Sequence, residues 1–298
     1  MKTIGTGGIE APQVVAVVGL GLIGASLCRA LREKLPDMGI VGITRTARTA
    51  ERAMDDGVCD LAGTTPDLLR HVDVVVLCTP VVEMPRWLEH CKAYDDIVVT
   101  DCGSTKRWIV DRARELFDAE RFLGGHPMAG REQSGYDAAE ATLFDGCSWV
   151  FTPTDGKQLE RFKPWVDCVE VVGANVEVMQ PAEHDQAVAW ISHLPFALSA
   201  ALMRTAATAP GWDRARVLAA GGFRDMVRLA GGDPAMYASI VETNGTALLD
   251  AITTLAQELE RMAATLKRPD AAEAYFRTAR QLRAAWLAER EEAKRPVR

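Results

Sequence analysis

The chain has 298 residues, of which 48% are hydrophobic and 25% charged, with a formal net charge of −7. That is a globular composition long enough for two domains, and it argues against a broad basic surface for nucleic acid or anionic membrane. No apolar run approaches membrane-spanning length and Met1 to Gln13 lack a signal segment, so a cytoplasmic protein is expected, its seven scattered cysteines being free thiols.

In chain order, Val14 to Val18 read as a buried strand that runs into Gly19-Leu20-Gly21-Leu22-Ile23-Gly24 and then into a helix marked by Leu27, Ala30 and Leu31. Gly19 permits the tight turn, Gly21 lets the backbone approach a pyrophosphate, and Gly24 lets the helix pack on the strand. The N–H groups of Leu22, Ile23 and Gly24 at the helix start would hold the phosphates. Further β-branched runs at 40–43, 72–77, 97–100, 149–151 and 169–172 alternate with helical patterns, which predicts α/β architecture with a doubly wound, mostly parallel sheet. The turns Cys78-Thr79-Pro80, Asp101-Cys102-Gly103-Ser104 and Gly124-Gly125-His126-Pro127 fall where such sheets bind ligands, and Thr79 and Pro80 are expected beside the cofactor.

After Val172 the strand runs are expected to give way to helices at 187–203, 214–229, 236–266 and 271–294. The chain therefore divides into a dinucleotide-binding domain over 1–173 and an all-helical domain over 174–298. The length of the third helix suggests packing against a second copy, so a homodimer is expected.

The end of the second strand sets the choice of cofactor. An acid there would bond the 2′-hydroxyl of NAD, but the residues are Thr44-Arg45-Thr46-Ala47-Arg48. Arg45 offers a planar fork to a 2′-phosphate, with the Thr44 and Thr46 hydroxyls and Arg48 beside it, so NADP is expected. The alternative is that Arg45 stacks on the adenine and accepts NAD as well.

Beyond the glycine loop, Thr100-Asp101-Cys102-Gly103-Ser104-Thr105-Lys106, Gly125-His126-Pro127-Met128-Ala129-Gly130, Ser192-His193-Leu194-Pro195 and Gly221-Gly222-Phe223-Arg224-Asp225-Met226-Val227-Arg228 follow in order. Together they resemble the prephenate/arogenate dehydrogenase family of tyrosine biosynthesis. The resemblance implies oxidative decarboxylation of prephenate or arogenate, with His126 taking the hydroxyl proton. A histidine suits that step near neutral pH. Ser104 bonds the hydroxyl or orients the imidazole, or else caps the helix that begins near Lys106. Arg228 is implied to bind the ring carboxylate, and Arg224, four residues earlier on the same helix face, either the side-chain carboxylate or an acid such as Asp225 or Glu242.

His193 is read as a substrate contact aimed by a kink at Pro195, or as a hydrogen-bonded core histidine. His184, nine residues earlier, falls on the opposite face of an unbroken helix, so the two are not expected to serve one site. Lys106 is either a further cation for the substrate pocket or a solvated charge at a helix end. Glu132 is a candidate sensor of a substrate amino group, while Arg131 would favour a carboxylate. The chain has Phe196 where many family members have a second histidine. No histidines or acids show metal-ligand spacing, and with no module after the helical domain, tyrosine feedback is expected at the active site itself. A hydroxy-acid dehydrogenase with similar domains, or a dinucleotide-sensing dimer, would lack a need for the His126 segment.

Overall fold

The computed structural model describes residues 12–131 and 133–293. Its framework is one sheet of β1 (Val14–Val18), β2 (Gly39–Ile43), β3 (Leu61–Gly63), β4 (Val74–Leu77), β5 (Val98–Asp101), β6 (Phe122–Pro127), β7 (Ser148–Thr152) and β8 (Asn175–Val178). The strand order is β3-β2-β1-β4-β5-β6-β7-β8. The first six strands are mutually parallel, β7 runs antiparallel to β6, and β8 runs parallel to β7. Because β2 and β4 flank β1, successive connections leave β1 in opposite directions and open a crevice at the carboxyl ends of β1 and β4.

Alternation along β1 sends Val15 and Val17 into one core and Ala16 and Val18 into the other. Both faces are apolar because helices cover both. The strands are linked by α1 (Leu22–Lys34), α2 (Ala47–Asp55), α3 (Met84–Cys91), α4 (Arg107–Leu116), α5 (Gly156–Arg161) and α6 (Lys163–Val171). Leu27 and Leu31 of α1 and Trp165 and Val169 of α6 fill the first core, while Met84 and Leu88 of α3 and Ile109 and Val110 of α4 fill the second.

Two sequence expectations are corrected. The run at 169–172 is the end of α6 and the turn after it, with the sheet resuming at β8; Pro164 starts that helix, and Trp165, Val166, Cys168 and Val169 are buried along it. A four-residue apolar run does not by itself distinguish strand from helix, and here the proline and the 3.6-residue period decide. Conversely, Gly124 to Pro127 belong to β6 and are not a turn. A Cβ on Gly124 would lie 2.4 Å from Thr152 Oγ1, and one on Gly125 would lie 2.6 Å from the Asp101 carbonyl oxygen. These glycines mark close approach inside a strand.

The remaining helices are α7 (Pro181–Val188), α8 (Leu194–Thr208), α9 (Trp212–Ala215), α10 (Gly221–Val227), α11 (Pro234–Thr265) and α12 (Pro269–Ala293), so the expected helical half holds once β8 is assigned to the sheet. By compactness the chain forms two units, one ending at Leu248 and one running from Leu249. Between α7 and α8, Ala189–His193 form a wide turn in which the Leu194 N–H reaches back five residues to Ala189 O. Pro195 explains it: the ring has no N–H for the Ile191 carbonyl and crowds it, so the helix widens before continuing. The continuous stretch Pro181–Thr208 is long and apolar enough, at a mean hydropathy of 1.3 over its best window, to pass a length test for a membrane span, contrary to the reading of the sequence. Its buried His184, Asp185, His193 and Ser199 are hydrogen-bonded within the chain.

What aligns β5, β6 and α4 is a buried ion pair. Asp101 ends β5, and its Oδ1 accepts from Gly125 N at 3.0 Å while its Oδ2 accepts from Gly103 N at 2.8 Å and from Lys106 Nζ. Lys106 Nζ also donates to Gly125 O at 2.7 Å, and both charged side chains are fully buried. Lys106 is therefore not a solvated helix-end charge. Removing one partner of such a pair leaves an uncompensated buried charge. Lys106→Met is expected to lower unfolding stability by about 3–5 kcal/mol in urea titration; a loss below about 1 kcal/mol, as for a surface pair, would contradict this role.

Candidate active site

The glycine loop meets the crevice as its spacing requires. Gly19 has φ +100, and a Cβ there would lie 2.7 Å from Cys78 O; a Cβ on Gly24 would lie 2.0 Å from Gly19 O. These two glycines are needed for packing, whereas a Cβ on Gly21 would meet nothing within 4 Å, which leaves room for a ligand. Gly21 begins α1 without a side-chain cap, and the first turn carries no acid, so the N–H groups of Leu22, Ile23 and Gly24 are open to an anion. Across the crevice Thr79 Oγ1 is buried with no hydrogen-bond partner among the described residues, and Pro80 follows it. An uncapped helix start and an orphaned hydroxyl fit a dinucleotide pyrophosphate.

At the end of β2, Arg45 and Arg48 are exposed and Thr44 is half-buried. The Thr46 hydroxyl caps α2, accepting from Thr49 N at 3.2 Å, so its first duty is structural.

His126 lies on β6, buried, with its Nδ1 2.8 Å from His184 Nε2. His184 Nδ1 is in turn 2.8 Å from Asp185 Oδ1. Asp185 also accepts from Lys106 N at 2.7 Å and Arg107 N at 2.9 Å, the first free N–H groups of α4. The cap of α4 is thus Asp185 of α7, not Ser104. With three donors around it the Asp185 carboxylate accepts throughout, so His184 carries its proton on Nδ1. With the His184 proton on Nδ1, its Nε2 accepts from His126 Nδ1–H and leaves His126 Nε2 bare. Burial first, then the neighbouring His184, Lys106 and His193, holds the His126 imidazole well below its ordinary range, so it is neutral near pH 7. The arrangement makes His126 Nε2 a proton acceptor.

His184 and His193 share this network, contrary to the opposite-face expectation. Each residue of the wide turn Ala189–His193 advances fewer degrees around the axis than in an α-helix, so nine residues no longer amount to a half-turn out of phase. His193 Nδ1 is 3.3 Å from Asn244 Nδ2, which also donates to Asp185 O at 2.8 Å. Burial pushes the His193 imidazole down to about 4, with Asp185 working in the opposite direction. Phe196, in the place of the family's second histidine, stacks on Tyr237 with ring centroids 4.1 Å apart.

The other expected residues are placed as follows. Ser104 is half-buried in the turn between β5 and α4, and its hydroxyl makes no hydrogen bond to a described residue; the partner of His126 Nδ1 is His184. Arg224 and Arg228 are exposed at and just beyond the end of α10. Arg131 is held by Glu140 through a pair of bonds of 2.5 and 2.6 Å. Glu132 lies outside the described residues. Asp185 and Asn244 escaped the sequence reading, and Lys106 and His184 were given other places in it. The Asp101 to Lys106 spacing across a Gly-Ser-Thr turn was one available signal, whereas nothing in the sequence marks Asn244.

Residues 27–178 match the family model described as "Prephenate dehydrogenase, nucleotide-binding domain", and 180–281 match "Prephenate dehydrogenase, dimerization domain". The prephenate dehydrogenase of Bacillus subtilis strain 168 is 32% identical over 282 residues, covering 91% of this chain and 75% of that protein. Among solved structures, arogenate dehydrogenase from Synechocystis is 34% identical with a TM-score of 0.78, covering 92% of this chain and 99% of that one. Prephenate dehydrogenase from A. aeolicus, solved with hydroxyphenyl propionate and NAD+, is 29% identical with a TM-score of 0.83, covering 97% of this chain and 99% of that one. With both halves matched in order and a relative 32% identical over 91% of this chain, the chain belongs to the prephenate dehydrogenase family.

Proposed function

We propose that the chain catalyses oxidative decarboxylation of prephenate or arogenate, giving 4-hydroxyphenylpyruvate or tyrosine, with His126 Nε2 receiving the proton of the ring hydroxyl. The observation that carries this is the buried, neutral His126, whose Nδ1 is tied to His184 and Asp185 so that Nε2 is left as the acceptor. A nicotinamide dinucleotide, when bound, supplies the hydride acceptor. As the hydroxyl carbon loses hydride and its oxygen loses a proton to His126, a ketone develops across the ring from the carboxylate. The C–C bond to that carboxylate then breaks, CO2 leaves, and the ring becomes aromatic.

Ser104, with its hydroxyl unengaged by the described residues, is suited to bond the reacting oxygen beside His126. Arg228 and Arg224 are the cations assigned to the ring and side-chain carboxylates, where a planar fork can hold a carboxylate in one orientation. His193 and Glu132 complete the substrate contacts of this reading. Gly19, Gly21, Leu22, Ile23, Gly24, Thr79 and Pro80 form the cofactor cradle, and Thr44, Arg45 and Thr46 the ribose end, where Arg45 favours NADP over NAD. The homodimer is supported by the dimerization-domain match and, within the unit from Leu249 onward, by the exposed Leu249, Ile252, Leu259, Phe276, Leu282 and Trp286. All seven cysteines are free thiols, as suits a reducing compartment such as the cytoplasm.

The test is formation of reduced nicotinamide by the purified protein from prephenate and from arogenate, each with NADP and with NAD. Turnover is expected with at least one substrate and to be faster with NADP. His126→Asn is expected to lower kcat by about 10²–10⁴-fold with cofactor affinity unchanged. Since the base form of a group with a lowered pKa persists into acid, kcat/KM is expected to stay level through about pH 6.5, the ordinary range of an imidazole, and to fall only well below it. No turnover in any combination from folded, cofactor-binding protein, or an unimpaired His126→Asn variant, would overturn the assignment.

A further inference from the structure

Asn244 interrupts α11, with φ −140 and ψ 24, and is almost fully buried. Its neighbours fix which way its amide points. Asp185 O is a carbonyl that can only accept, so the group 2.8 Å from it is the NH2 end. The same nitrogen lies 3.3 Å from His193 Nδ1. An amide nitrogen has no lone pair to offer, so His193 Nδ1 must accept, and the imidazole must carry its proton on Nε2. That Nε2 is fully buried, in a residue of 0% exposure, with no hydrogen-bond partner among the described residues. A buried N–H without an acceptor is costly to folding and rare, which points to a ligand atom as its partner.

We propose that Asn244 is a positioning residue that holds His193 as its neutral Nε2–H tautomer, so that His193 serves as a hydrogen-bond donor to a substrate oxygen and not as a base. The inference deepens the functional assignment and rests on it for the identity of that oxygen, a carboxylate or carbonyl of the cyclohexadienol. Asp185 then sets both imidazoles in opposite senses. Its carboxylate, through His184, leaves His126 Nε2 an acceptor; its backbone carbonyl, through Asn244, leaves His193 Nε2 a donor. The titratable groups around His193 are Asp185 and His184 of α7 and His126 of β6, and Asn244 and the Phe196 ring complete its surroundings. Burial keeps the ring neutral among them, so the donor persists throughout the neutral range.

The test has two parts on the full-length protein. Nitrogen-15 spectra of histidine-labelled protein, with His193 assigned by its absence in His193→Gln, are expected to show a protonated Nε2 and a bare Nδ1 at neutral and alkaline pH. The second part uses Asn244→Asp, whose carboxylate accepts from Nδ1 where the amide donated. While the variant's His193 is protonated, Nε2–H remains. Once it is neutral the proton stays on Nδ1, and Nε2 offers only a lone pair. The substrate KM of this variant, relative to the parent, is therefore expected to be near unity in acid and to rise by about tenfold or more toward pH 9, with kcat and cofactor affinity little changed. A purely structural role for Asn244 would shift KM without that pH dependence. A protonated Nδ1 on His193 in the parent, or a relative KM that is flat with pH, would overturn the proposal. If Asn244→Asp fails to fold, the parent spectrum decides; if the parent turns over neither substrate, the functional assignment fails while the spectrum still judges the tautomer.

Discussion

The Asp185 carboxylate is the interaction on which the rest of the site depends. It takes two backbone N–H groups at the start of α4 and the Nδ1–H of His184, and its own carbonyl receives Asn244. A buried carboxylate is tolerated only when its oxygens are satisfied, and hydrogen bonds to a charged acceptor are worth about 1.5–3 kcal/mol each. Its place at the N-terminus of a helix adds favourable dipole interaction. By capping α4 from α7, this one group fixes the turn that carries Ser104, aligns the imidazole pair, and secures α11 where Asn244 interrupts it. Thr105 reinforces the same junction by donating to Thr243 at 2.8 Å.

Around that anchor, charge and neutrality are divided between separate residues. Lys106 and Asp101 form a buried pair that holds β5 to β6, and the positive charge of Lys106 helps keep His126 unprotonated. The imidazole beside it is thereby kept neutral, in a setting where burial already disfavours the charged form. Phe196 stacks on Tyr237, with ring centroids 4.1 Å apart, and makes this side of His193 apolar.

Much of the fold could be read from local pattern. Val14 to Val18 and the glycines after them announce a buried strand and a tight turn into a helix, and both lie at the point where strand order reverses. The failures have physical causes. Gly124 and Gly125 read as a turn because their reason for being glycine, contact with Thr152 and Asp101, comes from residues distant in sequence. The 169–172 run read as a strand because four apolar residues carry too little period to show a helix. His184 was separated from His193 because ideal helical phase was assumed through Pro195, where the chain instead widens. Lys106 and Asn244 are ordinary surface types by composition, and only tertiary burial reveals what they hold.

The central claim is that the protons in the chain from Asp185 through His184 to His126 lie where they leave His126 Nε2 bare. Neutron diffraction from deuterium-exchanged crystals near neutral pH would locate them in one map. The expected result is deuterium on His184 Nδ1 and on His126 Nδ1, with none on His126 Nε2. Deuterium on His126 Nε2, or on a carboxyl oxygen of Asp185, would contradict the assignment of His126 as the proton acceptor.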